Sequence, residues 1–123
     1  MEPLNVEKVK MELEDSAGAL KLSIHGEIDM AEPSIAIRPY LEKVHNHILE
    51  KGASQVEVDF TNLGFMNSSG IKEFVTWIMK LNLTPPEKKY SIKLTYAGTI
   101  TWQESSIPVL QKLQPTLIEM NRV

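Results

Sequence analysis

The sequence contains no cysteine. That absence excludes disulfides, thiolate catalysis, zinc–thiolate sites and iron–sulfur clusters together, and it fits a reducing compartment. Basic runs are also missing. Thirteen Lys and Arg stand against 16 Asp and Glu, for a net charge of −3, and Lys88-Lys89 is a pair and not a stripe. A duplex nucleic-acid binder carries a basic excess on one face, so no nucleic-acid partner is expected. No stretch approaches the roughly 18 uninterrupted apolar residues of a membrane helix. Met1-Glu2-Pro3-Leu4-Asn5 has neither a basic n-region nor an apolar h-region, so the reading predicts no signal peptide, no membrane and a cytoplasmic location. Neither a Gly-x-Ser-x-Gly elbow, a GxGxxG loop nor a Walker loop occurs, and no His/Asp pair is recognisably aimed at a serine. A serine nucleophile needs an activating base, so the chain is not expected to be an enzyme and no cofactor is implied.

What is present is an ordinary globular mix. The chain has 123 residues, 42% apolar and 24% charged, with no repeat, low-complexity tract or long linker. That length suits one domain, residues 1–123 with a core of about residues 8–120, which buries roughly two-thirds of the surface of its unfolded chain.

The apolar pattern alternates between two periods. Val9, Met11 and Leu13 alternate with charged residues, Asp15-Ser16-Ala17-Gly18 signals a turn, and Leu20, Leu22 and Ile24 alternate again, which predicts a β-hairpin. After Gly26-Glu27-Ile28-Asp29, a helix is expected with Glu32, Pro33 and Ser34 in its early turns; Tyr40, Leu41, Val44, Ile48 and Leu49 fall at helical spacing and Gly52 is a stop. Val56, Val58 and Phe60 predict a third strand, with a turn at Thr61-Asn62-Leu63-Gly64. A strong helix follows, whose stripe is Ile71, Phe74, Val75, Ile78, Met79 and Leu81, ended by Pro85-Pro86. Ile92, Leu94 and Tyr96 predict a strand, Ser105-Ser106 and Pro108 the start of a last helix, and Leu117, Ile118 and Met120 a short final strand. The order, roughly ββαβαβαβ, predicts an α/β fold: a mixed four- to five-stranded sheet with three or more helices.

Asn67-Ser68-Ser69-Gly70 stands where a strand gives way to a helix. Ligands and sites gather at that end of strands in open α/β folds. Asn and Ser cap helix N-termini, Gly admits a close neighbour, and the helix start carries a partial positive charge that favours an anion. The same string also reads as a plain helix cap. Among other candidates, His45 and His47 point about 200° apart on a helix and cannot share a metal. His25 reads as a surface residue, Trp77 as core or rim, and Trp102 as part of a polar loop, Thr99–Ser106. Glu27 and Asp29 read as an acid–base pair or as a strand end and helix cap.

The segment Val56–Leu81, VEVDFTNLGFMNSSGIKEFVTWIMKL, resembles the central segment of the STAS domain, the domain of sulfate transporters and anti-sigma-factor antagonists. Members carry an apolar strand, then Asp-Ser-Ser-Gly and an apolar helix. Gly26-Glu27-Ile28-Asp29 resembles the family's Gly-Glu-Leu-Asp upstream. The resemblance covers about residues 8–96. Asn67 stands where the antagonists usually carry Asp. The last third is closer to a set of uncharacterised bacterial STAS-like proteins that share Asn-Ser-Ser-Gly-Ile and a later Trp-Gln. The resemblance implies a protein-binding switch in bacterial signalling. By position Ser68 is the phosphoacceptor, with Ser69 as second choice, and Asn67, Gly70, Ile71, Glu27 and Asp29 shape the switch loop and the partner surface. The implied partners are a GHKL-type serine kinase that doubles as the switched protein and a PP2C-type phosphatase; no metal is implied. The alternatives are a STAS-type sensor of a nucleotide or lipid, or a constitutive scaffold whose loop only caps a helix.

Overall fold

A computed structural model describes residues 1–123. Its sheet has six strands, and their order in space is their order in the chain. β1 (Leu4–Val6), β2 (Val9–Ser16) and β3 (Ala19–Ile28) form an antiparallel meander. β3, β4 (Gln55–Met66), β5 (Ser91–Tyr96) and β6 (Ile118–Arg122) run parallel. The expected mixed α/β class holds, with one strand more than the reading predicts: β1 has only three residues, too few for alternation to show.

The three parallel crossovers carry α1 (Ile37–Lys51), α2 (Ser68–Asn82) and α3 (Thr101–Gln111). Each crossover steps the same way across the sheet, so right-handedness sets all three helices on one face. That face holds the core. Val9, Met11, Leu13, Leu22, Ile24, Val56, Val58, Phe60, Ile92 and Leu94 point into it from the strands, and α1, α2 and α3 supply Val44, Ile48, Phe74, Ile78, Ile107 and Leu110. Phe60 meets Phe74 edge-to-face at 5.2 Å between ring centroids.

The opposite face of the sheet has no helix, and charge organises it instead. Glu14, Lys21, Glu57, Lys93 and Glu119 stand side by side across five strands with alternating sign. Opposite charges on facing strands attract, and the alternation leaves no like pair adjacent. In the next row, Thr95 donates to Glu57 (2.7 Å), Asn121 donates to Thr95 (3.0 Å) and Lys21 lies 3.5 Å from Asp59. Burial pushes the Asp59 carboxyl up, but the Thr61 hydroxyl and N–H and the Lys21 ammonium outweigh it and hold it below its ordinary value.

Three elements differ from the sequence expectation. Thr61-Asn62-Leu63-Gly64 is not a turn: β4 runs through it, with register shifts between Ser23 and His25 and between Gly26 and Glu27 where β4 carries extra residues. Such bulges leave carbonyls without a ladder partner. The Gln103 amide, fully buried, supplies one: its Nε2 donates to Phe60 O (2.7 Å) and Leu63 O (2.9 Å), and its Oε1 accepts from Ala97 N (2.7 Å). That anchor explains the second difference. α3 starts at Thr101, so Trp102 lies in its first turn and not in a loop, and Pro108 sits inside the helix. The third is the start of α1. Pro33–Ile35 is a separate 3-10 turn, and α1 begins at Ile37 behind Ala36, so neither Asp29 nor Ser34 caps it.

Candidate functional site

β4 ends at Met66 and α2 begins at Ser68, with Asn67 between them in extended conformation. Asn67 is fastened on both sides. Its N–H donates to Ile28 O (2.9 Å), and its Oδ1 accepts from Gly70 N (2.8 Å), the capping bond of α2. Its Nδ2 donates to Met30 O (3.0 Å), in the segment that leaves β3. An Asp at this position would keep the cap and lose the second bond, because a carboxylate has no donor. The amide therefore has a structural task of its own.

Gly70 lies against the sheet. A Cβ there would come within 2.8 Å of Ile28 Cγ2 and 2.9 Å of Met66 Cγ, so any larger residue would push α2 off the end of β4. Ser68 and Ser69 are both exposed, and Asn67 carries the capping bond, so the Ser68 hydroxyl is left free of it. Ile71 is half-buried on the flank of α2. Around this helix start lie Phe65, 43% exposed at the end of β4, and Ile35, 71% exposed in the 3-10 turn that packs near α2. A shallow concavity of about 350 Å³, lined by Val6, Met30, Ala31 and Ile35 among others, adjoins the Met30 segment.

Glu27 is exposed and sits beside Phe65 in the β3–β4 register. Asp29 lies past the end of β3 and pairs with Lys8 Nζ at 2.9 Å, which, with its hydrogen bond, raises the Lys8 pKa. Glu27 and Asp29 are thus a strand end and one half of a surface ion pair, both at the rim that holds Asn67.

The histidines lie elsewhere. His25 is exposed on β3 opposite Asn62, three residues back from Ile28, which pairs with Met66. His47 is on α1. His45 is buried: its Nδ1 is 2.6 Å from the Tyr90 hydroxyl, which also accepts from Trp77 Nε1 at 2.7 Å. The Tyr90 oxygen accepts from Trp77, and its own O–H is within reach of Nδ1, an arrangement that suits a neutral His45 with its proton on Nε2. Burial, then the Lys80 charge, lowers its pKa, and burial raises that of Tyr90. Trp77 is core. No three His, Asp or Glu side chains converge as a metal site would require, and no helix is long and apolar enough to cross a membrane.

One pair near the site was not singled out from the sequence. Arg38 on α1 grips Glu73 on α2 through two bonds (Nε to Oε1, 2.8 Å; Nη2 to Oε2, 3.1 Å), with Glu73 buried. The signal was there: Glu73 stands one helical turn after Gly70, on the face that packs inward, where a carboxylate needs a cation. A concavity of about 500 Å³ lies at the other end of the sheet, lined by Glu14, Lys21, Gln55, Glu57 and Lys93 among others.

No protein-family model matches the sequence, and no curated protein matches it. Solved structures do match. An anti-sigma factor antagonist from Mycobacterium paratuberculosis is 22% identical, with 90% of this chain and 85% of that chain covered and a TM-score of 0.58. A chain in the complex of the diguanylate cyclase SiaD with its activator SiaC from Pseudomonas aeruginosa is 14% identical, with both chains covered in full and a TM-score of 0.62. An uncharacterized protein of the DUF3478 family from Shewanella loihica, with a SpoIIAA-like fold, is 15% identical over 98% of this chain and 88% of that one, with a TM-score of 0.54. At such identities the likeness is one of architecture. The chain has the SpoIIAA-like fold of anti-sigma factor antagonists, the fold of the STAS domain.

Proposed function

We propose that this protein is a non-enzymatic, phosphorylation-controlled binding switch and that Ser68 is its phosphoacceptor, with Ser69 second. One observation carries the reading. The Ser68 hydroxyl is exposed on the first residue of α2, while its neighbour Asn67 carries the cap without carrying a charge. A phosphate there meets the positive end of the helix and no adjacent carboxylate. Two of the structural neighbours are an anti-sigma factor antagonist and a complex containing a cyclase activator, both terms for proteins that act on other proteins. A partner surface built around Phe65, Ser68, Ile71 and Ile35 supports the same role here. The partner is a serine kinase of the GHKL type, docked on this surface when Ser68 is bare. Phosphorylation places about −1.5 to −2 charges in the contact and expels it. A PP2C-type phosphatase resets the switch.

The test is kinase treatment followed by phosphopeptide mapping, with calorimetric binding of Ser68→Ala and Ser68→Asp to the same kinase. The phosphate is expected on Ser68. Ser68→Asp should bind at least about tenfold more weakly than Ser68→Ala, a difference of about 1.4 kcal/mol. Equal affinities would exclude charge at Ser68 as the control.

A further inference from the structure

The two edges of the sheet are built differently. β1 is three residues long and follows Pro3. Short strands and proline are devices that keep an edge from pairing. β6 has none of them: Ile118-Glu119-Met120-Asn121-Arg122 contains no proline, no lysine and no bulge.

The hydrogen bonds show which groups of β6 are unpaired. Ile92 N–H donates to Leu117 O (2.8 Å), Val123 N–H to Tyr96 O (2.9 Å) and Gly98 N–H to Val123 O (3.0 Å). Leu117, Glu119, Asn121 and Val123 therefore turn their backbone groups towards β5, and Ile118, Met120 and Arg122 turn theirs outward. The Ile118 N–H is spent on Gln114 O (3.0 Å). The Ile118 carbonyl accepts from Gln111 Nε2 (3.1 Å) and keeps its second lone pair; both backbone groups of Met120 and Arg122 remain.

We infer that β6 pairs antiparallel with β6 of a second copy, about a two-fold axis through Met120. Only registers that set outward-facing residues opposite one another form bonds. Centring on Met120 uses every remaining donor: each Met120 N–H meets the other copy's Met120 carbonyl, and each Arg122 N–H meets the other copy's Ile118 carbonyl. The side chains agree with this register. Met120 is half-buried on the helix face and meets its own copy, apolar against apolar. On the open face, Glu119 falls opposite Asn121 of the copy. The Asn121 Nδ2 has one hydrogen committed to Thr95 and a second to offer a carboxylate. Centring on Glu119 also pairs outward-facing residues but sets the two Glu119 carboxylates opposite each other and leaves the Arg122 N–H unpaired, and centring on Asn121 makes as many backbone bonds but sets Met120 against Arg122 and Glu119 against Val123. The contact is isologous and closes, because the blunt β1 edge cannot propagate it into a fibre. It also lies two strands away from β4, so it leaves Ser68 uncovered.

The cysteine-free chain gives a direct test. Residues opposite each other at a hydrogen-bonded antiparallel position have Cα atoms about 5.5 Å apart, within the range a disulfide spans. Met120→Cys is therefore expected to form a covalent dimer under mild oxidant, at least about tenfold faster than Leu83→Cys, because pairing raises the local thiol concentration. Leu83 is the control because it is 87% exposed at the end of α2. In sedimentation velocity the unmodified protein should gain a dimer as concentration rises. Met120→Pro, which removes only an outward N–H, should stay monomeric with unchanged circular dichroism. Cross-linking no faster than the control, a protein monomeric at every concentration, or a dimer that survives Met120→Pro would each overturn the pairing.

Discussion

The two faces of the sheet solve the same problem by different physics. On the helix face the strands bury apolar side chains, and three helices cover them. There the cost of change is set by shape and by whether buried polar groups keep their partners. On the open face the strands carry a charge ladder from Glu14 to Glu119, and water does the rest. There the cost of change is set by neighbouring charge, which solvent and salt screen. One sheet thus carries a face that specifies the fold tightly and a face that specifies it loosely.

Three experiments would break or sharpen that contrast. The largest effect belongs to Gln103. Gln103→Leu removes all three of its hydrogen bonds and leaves the Phe60 and Leu63 carbonyls and the Ala97 N–H buried without partners. The expected loss is about 3 kcal/mol or more, read as a lower urea midpoint at unchanged slope. A loss below about 1 kcal/mol would mean that the bulges of β4 hold themselves.

A smaller effect is expected from pH, and it too comes from the covered face. The folded-state pKa of His45 lies below its ordinary value of 6.5. Between the two values the unfolded chain binds more protons than the folded one, so stability rises with pH through that window. The stability conferred by neutral His45 is complete above pH 6.5 and is lost as pH falls towards the folded value. Denaturation at a series of pH values from 7.5 downward checks this. His45→Gln should flatten the slope, and a slope unchanged in that variant would assign it to other groups.

The smallest effect belongs to the open face. Glu57→Lys sets three lysines in a row with Lys21 and Lys93 and strands the Thr95 hydroxyl. The expected cost is about 1 kcal/mol or less, and it should shrink as salt is raised. A cost matching that of Gln103→Leu, or one indifferent to salt, would erase the distinction between the faces.

Much of this was legible in the residues. Alternation found β2, β3 and β5, and helical spacing found the stripes of α1 and α2, because each buries one face over many residues. Asn67-Ser68-Ser69-Gly70 marked the start of α2 because capping chemistry is local. What escaped was long-range or short. β1 has too few residues to show a period. Thr61–Gly64 has the composition of a turn, and only the Gln103 amide, about forty residues away, lets β4 pass through it bulged. The same anchor starts α3 at Thr101, where no side chain caps it, ahead of the Ser105-Ser106 pair that looked like the start. Arg38 and Glu73 are 35 residues apart and meet only once α1 and α2 pack. The dual bonding of Asn67 was half legible: the cap could be read, and the Met30 carbonyl could not.

Strand order in this sheet is chain order. No strand has to be threaded between two that are already in place, so the domain can be laid down from its N-terminus outward. The β2–β3 hairpin needs only local closure, and each later β-strand adds to the free edge left by the one before it. Every loop-closure step is the length of one crossover, which keeps the entropic cost of each addition modest and similar to the last. A chain leaving the ribosome could assemble in the sequence in which it is made, with the newest edge always exposed to the solvent until the next strand arrives. β6 is the last of the six strands to be added.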